Sequence, residues 1–149
     1  METQKVTGFG KIKDGREAHL YLLENANGMK ACVTDYGAAL VKLLVPDKDQ
    51  KLRDVVLGYD DAAGYEKGTA SLGATVGRNA NRIGGAQVTI NGKDYDLVKN
   101  DKGKNNLHSG PDHYNHRMWE TVEYTDDHVT FVLHSPDGDQ GYPGALDMH

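Results

Sequence analysis

Gln87-Val88-Thr89-Ile90, then Asn91-Gly92, then Lys93-Asp94-Tyr95-Asp96-Leu97 is the stretch that decides the fold class. Two short β-rich runs meet across a two-residue Asn-Gly turn. Such a turn needs positive φ at both central residues, which Asn and Gly adopt at least cost, so the sequence predicts a tight β-hairpin. The same grammar extends in both directions. Upstream, His19-Leu20-Tyr21-Leu22-Leu23 and the run from Lys30 to Thr34 flank the turn Asn25-Ala26-Asn27-Gly28 and read as another hairpin. Ala39 to Val45 follows as a strand stopped by Pro46. Asp54-Val55-Val56-Leu57-Gly58 reads as a short strand, and Gly73-Ala74-Thr75-Val76-Gly77 as a small, buried one. Downstream, Met118 to Tyr124 and Val129 to His134 alternate across Thr125-Asp126-Asp127-His128. Asp60 to Lys67 is the single helical candidate, and it is short. Many short strands with glycine-rich turns define an all-β chain, an antiparallel sandwich or barrel with little helix.

Composition narrows the setting. At 149 residues the chain fits one domain, 1–149, with no repeat, low-complexity tract or linker to divide it. No apolar run is long enough to span a bilayer, so no membrane partner is expected. The start, Met1-Glu2-Thr3-Gln4-Lys5, lacks the apolar segment of a secretory signal, and a cytoplasmic location is expected. The net charge is -5 and the basic residues are scattered, which argues against a nucleic-acid partner. A single cysteine, Cys32, forms no internal disulfide and fits a reducing compartment. Its place in Ala31-Cys32-Val33-Thr34 marks a buried structural thiol rather than a nucleophile. There is no zinc-type Cys/His spacing, P-loop or dinucleotide fingerprint.

Candidate chemistry lies between Gly77 and Gly110. Arg82 follows Asn81 in a segment where Gly77, Ala80, Gly84 and Gly85 leave the backbone open to close approach by a ligand. Elsewhere an arginine at a strand end more often pairs with an acid. Here its fork of fixed donors suits vicinal hydroxyls, and Asn81 adds a donor and an acceptor. His108 stands in Asn105-Asn106-Leu107-His108-Ser109-Gly110. A lone loop histidine commonly has no special role, but imidazole is suited to exchange protons with an oxygen near neutrality. His19, His128 and His134 read as structural or exposed. His113 and His116 flank Tyr114 without a fixed carboxylate or Cys partner, so no metal is expected there. Asp137 and Asp139, in the turn Ser135 to Gly144, lack the remaining ligands of a calcium loop.

Taken together these segments resemble the N-terminal portion of the aldose 1-epimerase (galactose mutarotase) family. The resemblance rests on Thr34-Asp35-Tyr36-Gly37-Ala38, Asp54 to Tyr59 with Tyr65, and Gly77-Arg78 with Ala80-Asn81-Arg82-Ile83. Asn106-Leu107-His108-Ser109-Gly110, Trp119 and Ser135 to Gly144 continue the series in the same order. It covers nearly the whole chain, with Ser109 where the family usually has Gly. It implies an antiparallel β-sandwich of the galactose mutarotase-like supersandwich type, of which this chain is the N-terminal part. It also implies free hexoses (galactose, glucose) as substrates, and no cofactor. In the family it resembles, a base carboxylate takes the anomeric proton while a histidine protonates the ring oxygen; the ring opens, the aldehyde rotates, and closure gives the other anomer. The resemblance implies, by position, that Asn81 and Arg82 would bind sugar hydroxyls and that His108 would sit by the ring oxygen, both a substrate-binding and a catalytic group. Family members are considerably longer, and the glutamate base and second histidine have no assigned position here. Glu120 and Glu123 lie in a strand of the wrong region. The expectation is half an active site, inactive alone, with a companion chain or a homodimer covering the cut. A non-catalytic sugar-binding sandwich and an incomplete half that pairs edge to edge are the competing readings.

Overall fold

Alternating burial along two central strands organises the molecule, which a computed structural model describes over residues 5–149. The polar start Met1 to Gln4 lies outside the described residues. Strands β1 (Val6–Lys11), β2 (Glu17–Glu24), β3 (Lys30–Thr34), β4 (Ala39–Pro46) and β5 (Leu52–Asp54) form one antiparallel sheet in chain order. Successive side chains of a strand point to opposite faces. Accordingly Ala18, Leu20, Leu22 and Cys32 go to one face, where they pack with Phe9, Val41 and Tyr65. That face is covered by helix α1 (Ala62–Lys67), whose cap Asp61 accepts the Gly64 N–H at 2.7 Å. Tyr21 and Val33 go to the other face.

A second antiparallel sheet closes that other face: the strands β6 (Arg82–Ile83), β7 (Gln87–Ile90), β8 (Lys93–Asp96) and β9 (Asn106–Leu107) intervene in sequence, and then β10 (Glu120–Tyr124), β11 (Val129–Ser135) and β12 (Leu146–Met148) pair in chain order. Tyr21 meets Phe131 and Tyr124 edge-on, with centroids 5.3 and 5.4 Å apart, and its hydroxyl reaches the Thr121 hydroxyl at 2.7 Å. Tyr124 donates across the gap to the Leu22 carbonyl at 2.9 Å. Two sheets packed over an aromatic core make the antiparallel sandwich that the sequence predicts.

The segment between the two sheets carries two small ribbons. β6 (Arg82–Ile83) pairs with β9 (Asn106–Leu107), and β7 (Gln87–Ile90) pairs with β8 (Lys93–Asp96). The β7–β8 hairpin turns on Asn91 and Gly92, with φ of 52° and 77°. Two expectations need correction. Gly73–Gly77 is not a strand: Gly73 takes positive φ and accepts one bond from Leu40, and Thr75 donates to Ala38, so the segment packs as a loop. The strand expected at Asp54–Gly58 lies earlier, at Leu52–Asp54. The Asp54 carboxylate accepts from the Leu43 and Val56 N–H groups and so interrupts the ladder, leaving Val55 and Leu57 exposed.

Candidate functional site

The β6–β9 ribbon brings the candidate residues side by side. Arg82 pairs opposite Leu107, and one step beyond the ribbon His108 donates its backbone N–H to the Asn81 carbonyl at 3.0 Å. The Asn81 N–H returns to the His108 ring, reaching Nδ1 at 2.9 Å. An amide N–H can only donate, so Nδ1 is the acceptor, and the neutral ring carries its proton on Nε2. The half-buried imidazole is therefore presented as a donor. Asn81 and His108 both hold positive φ, 62° and 52°, which this reciprocal pairing sustains.

Arg82 pairs with an acid, as an arginine at a strand end commonly does. Its Nε and Nη2 donate to the buried carboxylate of Asp101 at 2.9 and 3.4 Å, and Nη1 reaches the Asn81 side-chain oxygen at 3.4 Å. Two of its five N–H groups are left without a partner among the described residues. The acid partner aims the fork rather than consuming it. The guanidinium, together with the Asn105 amide at 3.0 Å, holds the Asp101 carboxyl below the usual carboxylate range.

A cavity of about 420 Å³ opens beside His108, within the roughly 300–1,000 Å³ span of small-molecule sites. His108, His113 and His116 line one part of it, and the stretch from Glu66 to Ser71 lines another. The His113 ring contacts the His108 carbonyl at 3.0 Å, and burial together with His113 pushes His116 below the ordinary imidazole range. Asn81 and Arg82 border His108 outside this cavity's wall and are exposed. Among the described residues no cluster of His, Cys, Asp or Glu has the makings of a metal site.

Several residues around His108 escape a reading of the sequence. Buried Asn106 donates to the Val98 carbonyl at 2.8 Å and accepts from the Tyr142 hydroxyl at 3.0 Å. Asn100 clamps Leu107 through both its backbone groups. Arg78 reaches the Ser135 hydroxyl and the carbonyls of Pro136 and Pro143, tying the turn after β11 to the Gly77–Arg82 segment. At Gly77, which the sequence suggests is open to a ligand, the close neighbour is Tyr114: a side-chain carbon there would strike it, and one at Gly110 would strike His113.

The family described as aldose 1-epimerase matches residues 19–149. The chain is 39% identical over 133 residues to the aldose 1-epimerase of Escherichia coli K12, covering 89% of this chain and 38% of that relative. It is 42% identical over 135 residues to the aldose 1-epimerase of Haemophilus influenzae, covering 91% and 38%. A solved aldose epimerase homologue from C. elegans superposes with a TM-score of 0.80 at 37% identity, over 87% of this chain and 40% of that one. The chain thus spans about two fifths of the length of these relatives.

Proposed function

Since the chain belongs to the aldose 1-epimerase family, we propose that it supplies the sugar-holding part of a mutarotase acting on free hexoses such as galactose and glucose. The observation that carries this reading is the Asn81–His108 pairing, which leaves the neutral His108 ring protonated on Nε2, beside a ribbon that also carries the Arg82 guanidinium. In this reading Asn81 and Arg82 bind ring hydroxyls, and His108 donates to the ring oxygen. That bond draws electron density from the C1–O5 bond as a base removes the anomeric proton. The base and the acid that completes ring opening come from polypeptide other than these 149 residues, either more of the same chain or a companion. Glu120 and Glu123, on the far sheet, are given no part in it.

The same reading accounts for surfaces that this length of fold leaves uncovered. Val55, Leu57 and Val122 are exposed apolar side chains, and β12 is an edge strand. Unpaired strand edges favour a covering partner, here a companion segment or a second copy. The lone buried thiol, Cys32, fits the cytoplasm. Titration of the chain with galactose tests the site: resonances of Asn81, Arg82 and His108 should move together, and the Arg82→Ala variant should bind more weakly. Sugar-independent spectra would refute the assignment.

A further inference from the structure

We infer that Ser109 is a positioning residue, whose buried hydroxyl locks the His108 turn against Asn79 and so fixes which ring nitrogen of His108 carries the proton. The inference rests on the proposed reading only in taking His108 as the group that meets the sugar. The backbone raises the question. His108 and Ser109 are consecutive non-glycine residues at φ 52° and 53°, a conformation that side-chain-bearing residues rarely adopt. Glycine would fit the second position with less strain, so a serine there needs compensating contacts.

Its Oγ provides them. Ser109 is 1% exposed, and its hydroxyl accepts the Asn79 N–H at 2.8 Å. The hydroxyl then donates to the Tyr142 oxygen at 3.1 Å, and Tyr142 donates to Asn106 Oδ1 at 3.0 Å. The Asn106 amide is oriented by its own donation to the Val98 carbonyl at 2.8 Å, so its Oδ1 faces Tyr142 and the Tyr142 proton points to it. The Asn79 carbonyl, 3.3 Å from Oγ, is the only alternative acceptor for the serine proton among the described residues. Tyr142 in turn sits in a turn pinned by Arg78 and by the Arg117–Asp139 pair at 2.7 Å. Two steps along the same segment, Asn81 makes its reciprocal bonds with His108. Ser109 therefore fastens the Asn79–Asn81 segment at one end while His108 reads its other end. Without Oγ the register between Asn81 and His108 loses its anchor, and Nδ1 becomes free to take the proton.

Nitrogen NMR of the ¹⁵N-labelled chain, above the histidine titration range, reads this directly. In the unsubstituted chain His108 should show one tautomer, unprotonated at Nδ1 and protonated at Nε2. Ser109→Gly removes Oγ and relieves the strained φ; Ser109→Ala removes Oγ and keeps it. In whichever variant folds, His108 should become a mixture of tautomers, and the Asn81 amide should exchange with solvent at least about tenfold faster. Ser109→Thr, which keeps a hydroxyl, should retain the single tautomer if it folds. A purely structural serine would lower the melting temperature and leave the His108 nitrogens unmoved, and that result would overturn the inference. So would a mixed or Nδ1-protonated His108 in the unsubstituted chain, or failure of both the Gly and Ala variants to fold, which would make the hydroxyl a folding determinant. A galactose titration separates the two claims: a His108 Nε2 signal indifferent to sugar refutes the sugar reading and leaves Ser109's role standing.

Discussion

Arg82 is a guanidinium held by the Asp101 carboxylate, with part of its fork open to solvent. A hydrogen bond from a charged group contributes about 1.5–3 kcal/mol when buried. The Arg82 side chain is 51% exposed, so solvent screening lowers its contribution. Arg82→Ala should weaken hexose binding by about 1 kcal/mol, roughly fivefold in Kd, as read by calorimetric or NMR titration; unchanged affinity would remove Arg82 from the site. Acid sensitivity follows from two carboxylates. Arg82 lowers the Asp101 carboxyl, and the Arg117 guanidinium lowers that of Asp139. Both groups titrate lower in the folded chain than in the unfolded one. Their stabilisation is therefore complete above the ordinary carboxylate range, about pH 4, and is lost as pH falls through their lowered folded values. The urea midpoint should fall steeply below about pH 4, and Asp139→Asn should flatten that fall; an identical acid profile in the variant would contradict this. At this scale the sequence offers the residue types of a candidate site, since Asn81, Arg82 and His108 carry groups that can hydrogen-bond hydroxyls. Their geometry was not legible: nothing in the letters says that Asn81, His108 and Ser109 adopt positive φ, or that Asp101, nineteen positions from Arg82, meets it.

Strands declared themselves where local chemistry matched the long-range fold. The β7–β8 hairpin was readable because Asn91-Gly92 meets its turn's demand for positive φ, and β2 and β3 because both carry alternating faces. β1 was missed because Gly8 and Gly10 blur its alternation and a register shift falls between them. The two-residue strands β6 and β9 carry too short a pattern to read. Gly73–Gly77 misled because a small apolar run packed on the core looks the same as a strand until its hydrogen bonds are known. The joint between the sheets has a clear test. Tyr21 is buried against Phe131 and Tyr124 and bonded to Thr121. Tyr21→Ala should cost roughly 3–5 kcal/mol of unfolding free energy, as for other large aromatic truncations. Tyr21→Phe, which loses only the hydroxyl bond, should cost about 1 kcal/mol. Equal losses in urea unfolding would mean that the hydroxyl, rather than ring packing, joins the sheets.

For the whole molecule, a chain that spans about two fifths of its relatives holds a folded core, the ribbon that carries the candidate site, and unpaired strand edges. The proposed division of labour is that these residues hold the sugar while a base from elsewhere starts the reaction. A positioned general base is typically worth about 10²–10⁴-fold. The direct test is polarimetry: freshly dissolved α-glucose is mixed with the pure 149-residue chain, its mass verified, and optical rotation is followed. The account predicts relaxation at the rate of the protein-free solution. Relaxation at the rate of an efficient enzyme, with mass spectrometry finding only residues 1–149, would contradict it, because a base would then lie within this chain.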